Sequence, residues 1–129
     1  MADKGVDTVQ TSAELTRAYA ELSADFNPLH LDADFAAKTP FAGVIVHGSH
    51  TLALVVDCLE RSSAGRALKA TEVRFVAPMP VGTKIVLHVT PDPGNAGQVH
   101  VRVDDGDDRI FLEGTASYGL PCPDQGTTE

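Results

Sequence analysis

The 129-residue sequence has no tryptophan and only two cysteines, Cys58 and Cys122. Two such thiols form neither a disulfide framework nor a zinc pattern. Cys58 sits in an apolar run and reads as a small buried side chain, while Cys122 lies between Pro121 and Pro123. This cysteine usage suits a reducing cytoplasm. Basic residues are scarce: ten Lys and Arg face eighteen Asp and Glu, a formal net charge of -8. That balance argues against nucleic acid, whose phosphates are gripped by clustered cations. A nucleotide-bearing small molecule stays open, because a few local cations can hold one. No apolar run approaches the roughly 18 residues of a membrane span, and Met1–Gly5 lacks the charged and apolar regions of a signal peptide. A soluble, cytoplasmic protein with no membrane partner is expected. With 43% hydrophobic residues, the length suits one domain over residues 1–120, followed by a flexible polar tail over 121–129.

The pattern divides the chain in two. Residues 1–10 are polar, with Val6 and Val9 as candidates for a short first strand. Thr11-Ser12-Ala13-Glu14 fits a capping box, a hydroxyl followed by a carboxylate three residues on. Leu15, Ala18, Tyr19 and Leu22 then recur at helical spacing, predicting an amphipathic helix over 12–23. Pro28 forces that helix to stop and makes 24–31 a constrained loop. Asp32 caps a short helix to Lys38, with Phe35 and Ala36 as its apolar contacts. From Ser49 to Arg61 the chain is apolar almost all round, which predicts a central helix buried on most faces.

Beyond Ala67 the texture becomes strand-like. Ala70–Val76, Lys84–Thr90, Gln98–Val103 and Arg109–Tyr118 are separated by strong turn signals at 78–82, 91–95 and 104–108. They predict an antiparallel meander curled around the helix, an α+β architecture. Its open edge strand predicts a homodimer that pairs two edges across a twofold axis.

The chemistry concentrates in Asp25-Phe26-Asn27-Pro28-Leu29-His30 and in Val46-His47-Gly48-Ser49-His50. The ordered Asn27-Pro28 turn, anchored by Phe26 and Leu29, can bring Asp25 and His30 to one point. Histidine exchanges protons near neutrality, and a carboxylate beside it can accept one. Together the two could hold a water, deprotonate it and deliver a proton to carbon. Gly48 stands where the buried helix starts, where free N–H groups and the helix dipole favour an anion. Its bland alternative is a residue that merely permits a tight turn. His47 and His50, three apart, could be metal ligands with Asp25 or His30, but loop anchoring suits His47 better and a pocket-lining or solvent position suits His50. No metal is therefore assigned. His88 and His100 fall at strand positions that look exposed and receive no role. Asp104–Asp108 lacks the ligand spacing of a calcium loop and reads as a solvated turn.

The run from Tyr19 to His30, with Ala36 after it, resembles the signature of the (R)-specific enoyl-CoA hydratases among the MaoC-like dehydratases. Val46-His47-Gly48 resembles that family's second element, and Arg74-Phe75 and Pro80-Val81-Gly82 extend the likeness loosely over most of the chain. The resemblance implies a hotdog fold and reversible syn hydration of a trans-2-enoyl thioester to the (3R)-hydroxyacyl thioester. It implies that Asp25 and His30 bind the catalytic water, that the Gly48 N–H polarises the thioester carbonyl and that Asn27 supports the loop. Asn27, Ser49 and His50 are candidate substrate-binding residues. No cofactor is implied beyond coenzyme A or acyl carrier protein as part of the substrate. Two positions depart from the pattern: Ala24 replaces a glycine, and Val56 stands where some members carry an active-site serine. The competing expectations are a hotdog thioesterase and a non-catalytic acyl-thioester-binding subunit.

Overall fold

A computed structural model of the chain describes residues 5–119. Cys122 and the tail over 121–129 lie outside the described residues. The elements run β1 (Gly5–Gln10), α1 (Ala13–Ser23), α2 (Pro28–Leu31), α3 (Ala33–Ala37), α4 (Gly48–Arg61), β2 (Leu68–Phe75), β3 (Lys84–Pro91), β4 (Gln98–Asp104) and β5 (Ile110–Tyr118). The strands make one antiparallel sheet in the order β1-β3-β4-β5-β2. The expected meander therefore holds for β3, β4 and β5 only. β2 lies beside β5, so the chain crosses the sheet between β2 and β3 and leaves β1 and β2 as the edges.

Alternation decides which face is covered. Ile85 and Leu87 of β3, Val99, Val101 and Val103 of β4, and Leu112 and Ala116 of β5 are buried together with Val55, Cys58 and Leu59 of α4. Full burial of a Leu, as at Leu59, is worth about 1.5–3 kcal/mol. The Tyr118 hydroxyl locks helix to sheet by donating to the Leu59 carbonyl at 2.6 Å. The central helix is less enclosed than its composition suggests: Thr51, Val55, Cys58 and Leu59 are buried, Leu52, Leu54 and Val56 are half-buried, and Ala53 and Asp57 are exposed. One sheet covers one face.

The start of α1 also differs from the expected capping box. Ser12, not Thr11, is the N-cap and accepts from the Leu15 N–H at 3.1 Å. Thr11 is buried and faces the sheet, donating its hydroxyl to the Thr83 carbonyl at 2.6 Å and accepting from the Gly82 N–H at 3.0 Å. Gly82 has φ of 103°, a conformation glycine adopts without strain. The helix also buries a different face: Thr16 and Ala20 point inward, while Leu15 is 45% and Leu22 84% exposed. Small residues allow the close approach of α1, which periodicity of large apolar side chains does not reveal.

At the far end of α1, Ala24 adopts φ of 61°, and its N–H and that of Asp25 both bond the Ala20 carbonyl. This left-handed turn gives the glycine of the resembled pattern a physical reason: alanine there costs about 1 kcal/mol or more. The segment expected as loop contains one helical turn, α2, with Pro28 at its start and Asn27 as its cap. Asp32 caps α3 by accepting from the Phe35 N–H at 3.1 Å, as expected. Only Ala36 of α3 is buried; Phe35 is largely exposed.

Candidate active site

Ile45 fastens the short helices to the rest of the fold. Residues 44–46 pair with 79–81 through Val46 N–H to Met79 O at 2.8 Å and Val81 N–H to Val44 O at 3.1 Å. Within that ladder, the Ile45 N–H donates to the Leu29 carbonyl at 3.2 Å. The Ile45 carbonyl in turn lies 2.7 Å from His30 Nδ1. A carbonyl can only accept, so Nδ1 carries the proton and neutral His30 keeps a bare Nε2. A base is thus set by one main-chain oxygen 15 residues away.

His47 performs the matching task on the other side. It is 1% exposed, and its Nε2 lies 3.0 Å from the Asp25 carbonyl, which fixes its proton on Nε2. Its ring stacks on His30 with centroids 3.9 Å apart, and the Tyr19 ring meets it edge-on at 5.0 Å. The expectation that His47 anchors the loop is met. The ligand-capable atoms of Asp25, His30 and His47 lie within 4.8 Å of one another. The Asp25 carboxylate receives only a long bond, 3.3 Å, from the Asn27 N–H among the described residues. Its charge is therefore available to a guest.

Asn27 has its side-chain oxygen committed to the Leu29 N–H at 2.9 Å, capping α2. That is the loop-supporting part. Ser49 accepts from the Tyr19 hydroxyl at 2.8 Å. His50 stacks on Tyr19 at 4.5 Å and lies outside the Asp25, His30 and His47 cluster. Burial, and then the His47 imidazole nearby, hold the His50 pKa below its ordinary value. Tyr19 thus braces three residues around the start of α4. Its place in the helical run is legible in the sequence, but its hydroxyl and ring partners come from distant segments.

Gly48 is the first residue of α4 and directly follows His47. Its φ is not positive, so no tight turn demands glycine there. A Cβ would meet only the Phe75 ring, at 3.5 Å, an ordinary contact. The bareness of Gly48 leaves its N–H approachable at the positive end of a 14-residue helix. Gly48 also lines an apolar cavity of about 330 Å³ with Phe41, Phe75, Val76 and Met79 among its walls. The β-bulge between β4 and β5 aims Phe111 at the same cavity: Val103 pairs with Leu112 and Asp104 with Ile110, leaving Phe111 as the extra residue. Sequence reasoning does not foresee Ile45, Phe75 or Phe111 here. Ile45 acts through its backbone, and the other two are brought in by strand order.

His88 is not the exposed strand residue that alternation suggests. Its side chain is 13% accessible, and Nε2 lies 3.0 Å from Asp104 Oδ2. Asp104, expected in a solvated turn, is 4% exposed. Both stand at the face of the sheet away from α4, apart from the residues above.

Comparison with known proteins gives these positions a context. The family profile described as MaoC like domain matches residues 2–107. An (R)-specific enoyl-CoA hydratase of Aeromonas caviae is 39% identical over 74 residues, 56% of this chain and 55% of that protein. A 3-hydroxyacyl-thioester dehydratase Z of Mycobacterium tuberculosis is 32% identical over 85 residues, 61% of this chain and 56% of its own length. The chain thus spans about half the length of these curated relatives. The solved structure of an (R)-hydratase from A. caviae superposes with a TM-score of 0.76 at 28% identity, covering 94% of this chain and 97% of that one. An R-hydratase from Pseudomonas aeruginosa, at 24% identity and a TM-score of 0.77, covers 94% of this chain and 82% of its own and shares the hotdog fold.

Proposed function

We propose that this chain, which belongs to the MaoC-like domain family, is a hydro-lyase that interconverts trans-2-enoyl and (3R)-3-hydroxyacyl thioesters. The observation that carries this reading is the convergence of the Asp25 carboxylate on a His30 ring whose bare nitrogen is set by Ile45. A water held between them loses one proton to His30 Nε2 as its oxygen attacks the β-carbon. The displaced electron pair moves onto the thioester oxygen, where the Gly48 N–H and the α4 dipole receive the charge. An oxyanion donor of this kind is worth about 2.7–4 kcal/mol. The enolate then collapses by taking a proton at the α-carbon from the same acid–base pair, so both additions occur on one face. Dehydration is the reverse.

The reaction consumes water and thioester alone, so the chain's own residues supply all the acid–base chemistry. The apolar cavity beside Gly48 suits an acyl chain, and the thioester carrier is coenzyme A or an acyl carrier protein. The edges β1 and β2 support a homodimer. No helix among the described residues is long and apolar enough to cross a membrane, which accords with a cytoplasmic enzyme.

Crotonyl-CoA hydration, followed by loss of enoyl absorbance, tests the reading. Asp25→Asn and His30→Ala should each lower turnover by about 100-fold or more. Unchanged turnover in both would remove the assigned roles. Release of free thiol without hydration would instead establish a thioesterase.

A further inference from the structure

We propose that His47 is a positioning residue that ties the oxyanion end of α4 to the acid–base loop. The inference rests on the hydration reading above and concerns the same site. His47 is the N-cap of α4: its carbonyl accepts from the His50 and Thr51 N–H groups, both at 3.1 Å. The next residue is Gly48, so the position of the oxyanion donor is set by the His47 backbone. The His47 ring reaches in the opposite direction, donating Nε2–H to the Asp25 carbonyl at 3.0 Å and lying on the face of His30. One buried residue therefore touches all three parts of the reacting constellation.

The bond to Asp25 matters because of what else holds that residue. The Asp25 N–H is fixed to Ala20 O at 3.1 Å. With its carbonyl also bonded, the Asp25 backbone is clamped at both ends and only its two side-chain torsions remain. The carboxylate is thereby aimed without being consumed by a strong partner, which an acid–base group needs. The opposite tautomer of His47 would leave the Asp25 carbonyl unpaired. It would also move the proton to Nδ1, a buried atom with no hydrogen-bond partner among the described residues. The groups facing His47 are Tyr19 from α1, Asp25 from the loop, His30 from α2 and His50 from α4 itself. Among the described residues, only Asp25 accepts a bond from its ring.

Two variants separate the bond from the ring. His47→Phe keeps an aromatic face on His30 and deletes the donor; His47→Gln deletes the ring and keeps an N–H that can reach Asp25. In crotonyl-CoA hydration, His47→Phe should lower kcat about tenfold or more with KM within twofold, and His47→Gln should recover most of that loss. Imidazole ¹⁵N shifts of the wild-type protein at pH 8 should show His47 as the Nε2–H tautomer and His30 as Nδ1–H. The proposal is overturned if folded His47→Phe keeps its kcat, or if both variants lose kcat equally and in step with their melting temperatures. An Nδ1–H tautomer at His47 also overturns it, a readout that needs no variant to fold. Asp25→Asn is run alongside. If it leaves turnover intact, the hydration reading itself fails, whereas a loss there with an unaffected His47→Phe sinks only the positioning role.

Discussion

Two of the places where histidine meets carboxylate among the described residues are built in opposite ways. On the outer face of the sheet, Asp104 accepts from Arg102 Nε at 2.9 Å, from the Gly106 N–H at 2.9 Å and stands 3.0 Å from His88 Nε2. Burial pushes its carboxyl up, but Gly106, His88 and Arg102 together hold it below the usual carboxylate range. That carboxylate is spent on the protein. At the N-terminus of α4, the Asp25 carboxylate receives only the long bond from Asn27 among the described residues, and His30 uses just one nitrogen on the scaffold. The difference teaches what separates the proposed reactive pair from a structural one. A structural pair satisfies its own charges, whereas a reactive pair is held through backbone groups and keeps its charge and lone pair for a guest.

The comparison can be broken most sharply by swapping the insult. His30→Ala should cost about 100-fold in turnover with little change in melting temperature, while His88→Ala should lower stability and leave kcat within about twofold. The reverse pattern would mean that the outer pair is the catalytic one. A smaller effect is expected at Gly48→Ala. The methyl finds room against Phe75, so the variant should fold, yet it crowds the approach to the N–H and should lower kcat by about tenfold. That is less than the roughly 100- to 1,000-fold seen when a donor is deleted outright. Wild-type turnover in that variant would end the oxyanion assignment.

Stability effects come next. Asp104→Asn should destabilise the fold by about 1–3 kcal/mol at neutral pH, because it replaces a buried charged acceptor paired with Arg102. The sign with pH follows from the depressed carboxyl. Its stabilisation is complete above the ordinary value of 3.8 and is lost as pH falls through the lower folded-state value. Urea midpoints of wild type and variant should therefore converge below about pH 3.8 and stay apart above it. The smallest effect belongs to Ala24→Gly, which relieves the left-handed turn at φ of 61°. It should raise stability by about 1 kcal/mol in thermal unfolding and leave turnover within twofold. A loss of stability there would show that the turn before Asp25 is not strained.

Much of the fold is legible in the amino-acid order alone. Asp32 announces its cap, Pro28 announces the end of α1, and the alternating Ile85, Leu87, Val99, Val101 and Val103 announce the covered face of the sheet. Each is a local signal with a local cause. What escapes the amino-acid order is of another kind. Leu15 and Leu22 have helical spacing but do not face the core, because α1 approaches through the smaller Thr16 and Ala20. His88 alternates like a surface residue, yet it meets Asp104 across β3 and β4 through a strand pairing that hydropathy does not encode.

The candidate site divides along the same line. Sequence by itself determined the candidate side chains, Asp25 and His30, and the glycine at the start of a helix, because residue type and near-neighbour spacing point to that chemistry. Only the tertiary structure decided that His30 presents Nε2, that the Asp25 backbone is clamped and that the Gly48 N–H opens beside an apolar cavity. Those outcomes depend on Ile45, His47, Phe75 and Phe111. The Ile45 carbonyl and the Phe75 and Phe111 rings have no signature along the chain for these roles; His47 reads as a loop anchor, but its partner atoms are fixed only when distant segments come together.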